Sequence, residues 1–202
     1  AENKIFQPLT TMFERHQLVF ESLGFPLDLS SPEFPEKAKI ENLDLYPIVK
    51  NAKKVIGIAP FAQYETKVYP LDLMQEVIDT LAQHPEHAIL LFGGGKKETA
   101  QLESLIGNKK NVFNMAGKIP FQEELNLISN LDVMLSMDSG NAHIAAMLGI
   151  KVITLWGATH PYAGFLPFNQ TLDTALLSDR NQYPHLPTSV YGNKIVPGYE
   201  NA

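Results

Sequence analysis

Cysteine is absent from the 202 residues, which excludes disulfides and thiolate metal sites and fits a reducing compartment. Positive charge is also scarce. Sixteen Lys plus Arg stand against 22 Asp plus Glu, a formal net charge of −6, so the chain has no basic field for a polyanion and nucleic acid is disfavoured as a partner. Long apolar runs are missing too: stretches such as 55–60 and 88–92 have the length of strands, far short of the roughly 18 residues that suggest a membrane span. The opening Ala-Glu-Asn shows no charged leader followed by an apolar run, so no signal-peptide pattern is visible. What is present is a hydrophobic content of 45%, enough for one well-buried domain and an extra arm but not for two full domains.

Residues 9–23 place Leu9, Met12, Phe13, Leu18, Val19 and Leu23 at helical spacing, and Gly24 and Pro26 then stop the element. Pro26, Pro32, Pro35 and Pro47, interleaved with charges, make 26–53 read as connector rather than core. From Lys54 the pattern changes. VIGIAP (55–60), HAILLF (87–92), NVFNMA (111–116), DVMLSM (132–137) and KVITLW (151–156) are short apolar runs of buried strands. Helix-like stretches at 71–83, 97–106, 121–130 and 141–148 separate them. This alternation predicts an α/β fold, a Rossmann-like parallel sheet with helices on both faces. Three segments follow: a leading helix and connector over 1–53, the Rossmann-like domain over 54–177, and an irregular tail over 178–202 rich in Pro, Tyr and Asn.

In such a sheet, ligands bind beyond the carboxyl ends of the strands. The clearest loop there is Ser136-Met137-Asp138-Ser139-Gly140-Asn141-Ala142-His143, a strand-turn-helix signal. Asp138 and Ser139 are natural N-cap residues, and Gly140 lets a ligand approach backbone N–H groups that favour a phosphate; simple capping accounts for the same residues. After the first strand, 59–70 is too irregular for a glycine-rich dinucleotide fingerprint. Its Lys67 suits a leaving diphosphate, or is merely solvated. Gly93, Gly94 and Gly95 permit close backbone approach or simply a tight turn. Ile119 offers an apolar wall for a flat base, or a core contact. Gly157 and Thr159 stand where substrate would pass, and His160 has the chemistry of an acid-base group or of a loop hydrogen bonder.

Taken together, the Lys67 segment, the 93–95 glycine turn, Ala116-Gly117-Lys118, Asp138-Ser139-Gly140 with His143, and Trp156-Gly157-Ala158-Thr159 resemble glycosyltransferase family 9, the lipopolysaccharide heptosyltransferases. The resemblance runs from about Val55 to Gln170. It implies the C-terminal, nucleotide-sugar-binding half of a GT-B enzyme. It also implies Lys67 and the Asp138-Ser139-Gly140 turn at the diphosphate, with Lys67 stabilising the leaving group. Ile119 is then near the base, and Gly94, Gly95, His143, Gly157 and Thr159 are among the binding residues. Gly95 and His160 depart from the family, many of whose members carry an acidic residue at the first position and Asp or Ser at the second.

The implied donor is ADP-heptose, a substrate rather than a cofactor, with no metal called for, and the acceptor is the lipopolysaccharide core. The general base is expected on a missing N-terminal domain, so this chain alone is expected to be inactive. The implied location is the cytoplasm of a Gram-negative bacterium, with any association at the inner membrane peripheral. Two rivals remain: a nucleotide-sugar epimerase or hydrolase using His143 or His160, and a non-catalytic nucleotide-binding module.

Overall fold

A computed structural model describes residues 6–199. Its framework is a six-stranded, wholly parallel sheet in the order β3-β2-β1-β4-β5-β6. The strands are β1 (Lys54–Ala59), β2 (His87–Leu91), β3 (Val112–Asn114), β4 (Val133–Met137), β5 (Lys151–Trp156) and β6 (Ala175–Leu177). The helices are α1 (Met12–Ser22), α2 (Tyr46–Asn51), α3 (Leu71–Ala82), α4 (Gly95–Ile106), α5 (Phe121–Ile128) and α6 (Gly140–Met147). The strand order reverses between β1 and β4, which pair from Ile56 opposite Val133 to Ala59 opposite Ser136. Loops leaving those two strands diverge and open a crevice between them.

Two apolar layers sandwich the sheet. Val55, Leu90, Phe92 and Met134 meet Leu127 and the Ala142, Ala145 and Ala146 face of α6 on one side. Ile58, Ile89 and Leu91 meet Met74, Ile78, Leu102 and Leu105 of α3 and α4 on the other. Alanines on α6 let that helix lie close to β4 and β5, setting its first turn at the crevice.

The five predicted strands, the leading helix and the four helices between the strands are present, and two further elements, α2 and β6, join them. Within 26–53, Ile40, Leu43 and Val49 are buried in the core, and α2 forms with Pro47 in its first turn, where a missing N–H costs nothing. The connector reading therefore fails from Ile40 onward. Beyond the fifth strand, β6 adds to β5 from Thr154 opposite Ala175 to Trp156 opposite Leu177. α1 begins with a reciprocal cap between Thr11 and Glu14 and has no buried residue. It is tethered by the N–H groups of Leu9 and Met12, which donate to the carbonyls of Tyr162 and Gly164 at 2.9 Å. Residues 1–5 and 200–202 of the predicted outer segments lie outside the described residues.

One face is incompletely covered. The connection from β5 to β6 runs through 3₁₀ turns, not a helix, so Val133, Leu135, Ile153 and Leu155 look into a trough of about 660 Å3 walled by Leu73, Val77 and Leu81 of α3. Among the described residues no helix is long and apolar enough to cross a membrane.

Candidate functional site

The loops after β1, β4 and β5 converge on one carboxylate. Asp138, the residue after β4, is 7% exposed, and its Oδ2 lies 2.8 Å from the Nζ of Lys67. The same oxygen accepts a hydrogen bond from the Thr159 hydroxyl at 2.8 Å. Lys67 ends a 3₁₀ turn, Glu65–Lys67, and its side chain is 13% exposed. Removing two charges from water is costly unless they meet each other; here they do, with a hydroxyl taking up further acceptor capacity. His143, one turn into α6, feels both charges. Burial lowers its pKa, the Asp138 carboxylate opposes that, and the Lys67 ammonium reinforces it.

The Ser139-Gly140 turn differs in detail from the sequence expectation. Ser139 occupies the N-cap position with extended backbone, but its hydroxyl makes no capping bond; it lies 3.1 Å from the Ser136 hydroxyl. Asp138 does not cap either, since its carboxylate is held by Lys67 and Thr159, and its N–H donates to the Leu155 carbonyl at 3.2 Å. The anion-attracting groups are thus the N–H groups of the first turn of α6, which have no carbonyl one turn before them.

Those groups border a hollow of about 270 Å3 at the switch point, lined by Phe61–Gln63 after β1, Gly93 and Gly94 after β2, Glu98, and Ser139–Asn141 with Ile144. Gly93 is there for space: a Cβ would meet Glu98 Oε2 at 3.1 Å and Phe61 Cδ2 at 3.2 Å. Gly94 caps α4, and Gly95 has a positive φ of 74°, so only glycine fits without strain. Glu98 is a residue that sequence reasoning passed over. Its Oε2 accepts from the Gly94 N–H at 2.7 Å, and its place in the lining puts a carboxylate where Gly95 had suggested none. The available signal was an acidic residue in the first turn, four positions after the N-cap glycine Gly94.

The structure does not bring Ile119 to this hollow. It packs on the core and lines a separate depression of about 440 Å3 with Leu43, Asn114 and Glu123. Gly157 lines the sheet-face trough beside Lys67. His160 is 6% exposed, its Nδ1 accepts from the Tyr162 N–H at 3.1 Å, and Phe6 and Tyr162 pack edge-on against its ring. Burial, aided by Arg180, lowers its pKa to about 4. That makes it a neutral loop cap, not a proton donor near neutral pH. Among the described residues no group of three or more His, Asp or Glu is placed to hold a metal ion.

The glycosyltransferase family 9 (heptosyltransferase) model matches residues 4–194. Lipooligosaccharide heptosyltransferase 2 of Campylobacter jejuni is 28% identical over 158 residues, 72% of this chain and 48% of the relative. Lipopolysaccharide heptosyltransferase 3 of Escherichia coli K12 is 32% identical over 157 residues, 74% of this chain and 45% of the relative. The chain thus spans about half the length of the curated relatives it matches. Among solved structures, the family 9 glycosyl transferase from Veillonella parvula superposes with a TM-score of 0.66 at 16% identity, covering 87% of this chain and 51% of that one. The E. coli heptosyltransferase WaaC with ADP gives 0.64 at 19%, covering 96% and 57%. These agree on an α/β fold shared with GT-B heptosyltransferases. With the family match extending over nearly the whole chain, this protein belongs to glycosyltransferase family 9, the heptosyltransferases.

Proposed function

We propose that this chain forms the donor-binding part of an inverting heptosyltransferase. It would take a nucleotide-diphosphate sugar, ADP-heptose, for transfer to a lipopolysaccharide-core acceptor at the cytoplasmic side. The observation that carries the reading is the largely buried Lys67 ammonium, held 2.8 Å from Asp138, next to the first turn of α6. The binding unit in this reading begins near Ile40 rather than at 54, because Ile40, Leu43 and Val49 belong to its core.

In the reaction the acceptor hydroxyl forms a bond to the anomeric carbon as the bond from that carbon to the diphosphate breaks, with the electron pair leaving on the nucleotide. The acceptor proton goes to a base outside this chain. Lys67 carries three N–H donors; one faces Asp138, which orients the group, and in this reading the others go to the departing phosphate. Together with the Ser139–Asn141 N–H groups it meets charge as it develops, where preorganised donors contribute most. Glu98, in the hollow that those backbone N–H groups border, supplies an acceptor suited to vicinal ribose hydroxyls. Support for ADP comes from the WaaC complex, whose nucleotide is ADP.

Thermal stabilisation by ADP, UDP, GDP and CDP tests the reading. A ligand at about 100 times its Kd adds about 2.7 kcal/mol, several degrees in Tm for a chain this size. Selective stabilisation by ADP, lost in Lys67→Ala, is the expected result; preference for another nucleotide would change the donor, and absence of any shift would count against the site.

A further inference from the structure

The tail beyond β6 lies directly over the Lys67 turn, and the way it does so is specific. The Thr188 N–H donates to the Ala158 carbonyl at 2.9 Å, while the Ala158 N–H donates to the Thr66 carbonyl at 2.9 Å. A three-tiered stack results, from the turn after β1 through the loop after β5 to the tail. The tail then closes on itself: the Thr188 hydroxyl donates to the Lys194 carbonyl at 2.8 Å, and Ser189 and Asn193 side chains pair at 3.0 Å. At the apex of that loop the Thr66 hydroxyl donates to the Gly192 carbonyl.

Gly192 has a φ of +75°, and a Cβ added there would stand 2.6 Å from Lys67 Cγ, 2.7 Å from Lys67 Cδ and 3.1 Å from Thr159 Cγ2. Its bare Cα therefore rests against both side chains that reach the Asp138 carboxylate. The atoms in the way are Cγ and Cδ of the lysine stem, so a bulkier residue displaces the Lys67 side chain and with it the ammonium that rests on Asp138.

We propose that the 188–194 loop, with Gly192 at its apex, is a positioning element that holds the Lys67 ammonium and the Thr159 hydroxyl on Asp138. Its bearing on donor binding rests on the proposed role of Lys67 at the diphosphate. Gly192 itself touches no reacting atom; it acts through Lys67, and glycine is required both by the left-handed backbone and by the space.

The test uses two variants in the full chain. Gly192→Ala adds the methyl, and Thr66→Val removes the hydroxyl from the Gly192 carbonyl without adding bulk against Lys67. The first readout needs no nucleotide: site-resolved acylation of Lys67 by an acetyl N-hydroxysuccinimide ester, followed by peptide mass spectrometry. A shielded, ion-paired amine is slow to react, and both variants are expected to speed its acylation several-fold.

The second readout is titration with ADP and with adenosine. Both variants are expected to weaken ADP about tenfold, the scale of one hydrogen bond to a charged group, and to leave adenosine unchanged. Neither should weaken ADP further when Lys67 is already alanine. Unchanged acylation, or an ADP loss that persists in the Lys67→Ala background, would overturn the inference. Faster acylation in a chain whose ADP affinity does not depend on Lys67 would uphold the positioning element and refute the diphosphate reading instead.

Discussion

Asp138→Asn isolates the charge at the centre of the site. The amide keeps the shape of the carboxylate and leaves an acceptor for the Thr159 hydroxyl, now 2.8 Å away, but removes the counter-ion 2.8 Å from Lys67. At that separation and an effective dielectric constant of about 20, the gross attraction is about 6 kcal/mol. Desolvation of the two ions offsets much of it, but removing one partner leaves the other buried and unpaired, at a cost of about 3 kcal/mol. With about 2–4 °C per kcal/mol for a chain of this length, Tm should fall by about 6–12 °C. Lys67→Met strands the opposite charge, and the double variant strands neither. In a double-mutant cycle followed by thermal unfolding, the double variant should be no less stable than the worse of the singles. Additive losses would show that the two groups do not depend on each other, and the mutual compensation of Lys67 and Asp138 would be refuted.

Three other outcomes follow from the packing and electrostatics. His160 has a folded pKa of about 4 against an ordinary 6.5, so folding favours its neutral form. That contribution is complete above about pH 6.5 and is lost as pH falls toward about 4, up to about 3 kcal/mol; His160→Asn, which can still accept from Tyr162, should flatten this acid limb in denaturant titrations. Gly57→Ala places a Cβ 2.5 Å from Leu131 Cδ1 and 3.0 Å from Met134 Sδ, in a core without room, and should cost about 1–3 kcal/mol in urea unfolding. Glu98→Ala should abolish any preference for ADP over its 2′,3′-dideoxy analogue, about tenfold in Kd, because the carboxylate in the hollow is the proposed hydroxyl acceptor; an unchanged preference would remove Glu98 from the nucleotide site.

The strands were legible because both of their faces are largely apolar, whether covered by a helix or turned to the trough, so each reads as an apolar run bounded by turn residues. α2 escaped because it is six residues long with Pro47 in its first turn, too short to show a period and carrying a residue that reads as a break. β6 is three residues, Ala175–Leu177, and is a strand only because β5 offers it an edge. At the site, sequence placed Lys67, Asp138 and Thr159 on separate loops after separate strands, and topology supplied the meeting point. The carboxylate's use by Lys67, in place of helix capping, is a tertiary choice that local pattern leaves open. Ile119 followed the opposite course: an apolar residue in a loop serves a base or a core equally well, and here the core took it. Gly192 sat in a tail without period, and its requirement for space comes from a lysine 125 positions earlier.

The trough over β4 and β5 changes how this chain must be assayed. A cleft of about 660 Å3 lined by Leu135, Ile153, Leu155 and α3 leucines is a ready receptor for environment-sensitive dyes such as ANS. Bright dye fluorescence from the native chain would then report an intact groove and not a loosened, molten state, and a dye-based melting curve would start from a high baseline. The single tryptophan offers a cleaner signal. Trp156 is 3% exposed, its indole N–H donates to the Thr154 hydroxyl at 2.8 Å, and it borders the same trough. Its emission should shift to the red only when the sheet itself comes apart.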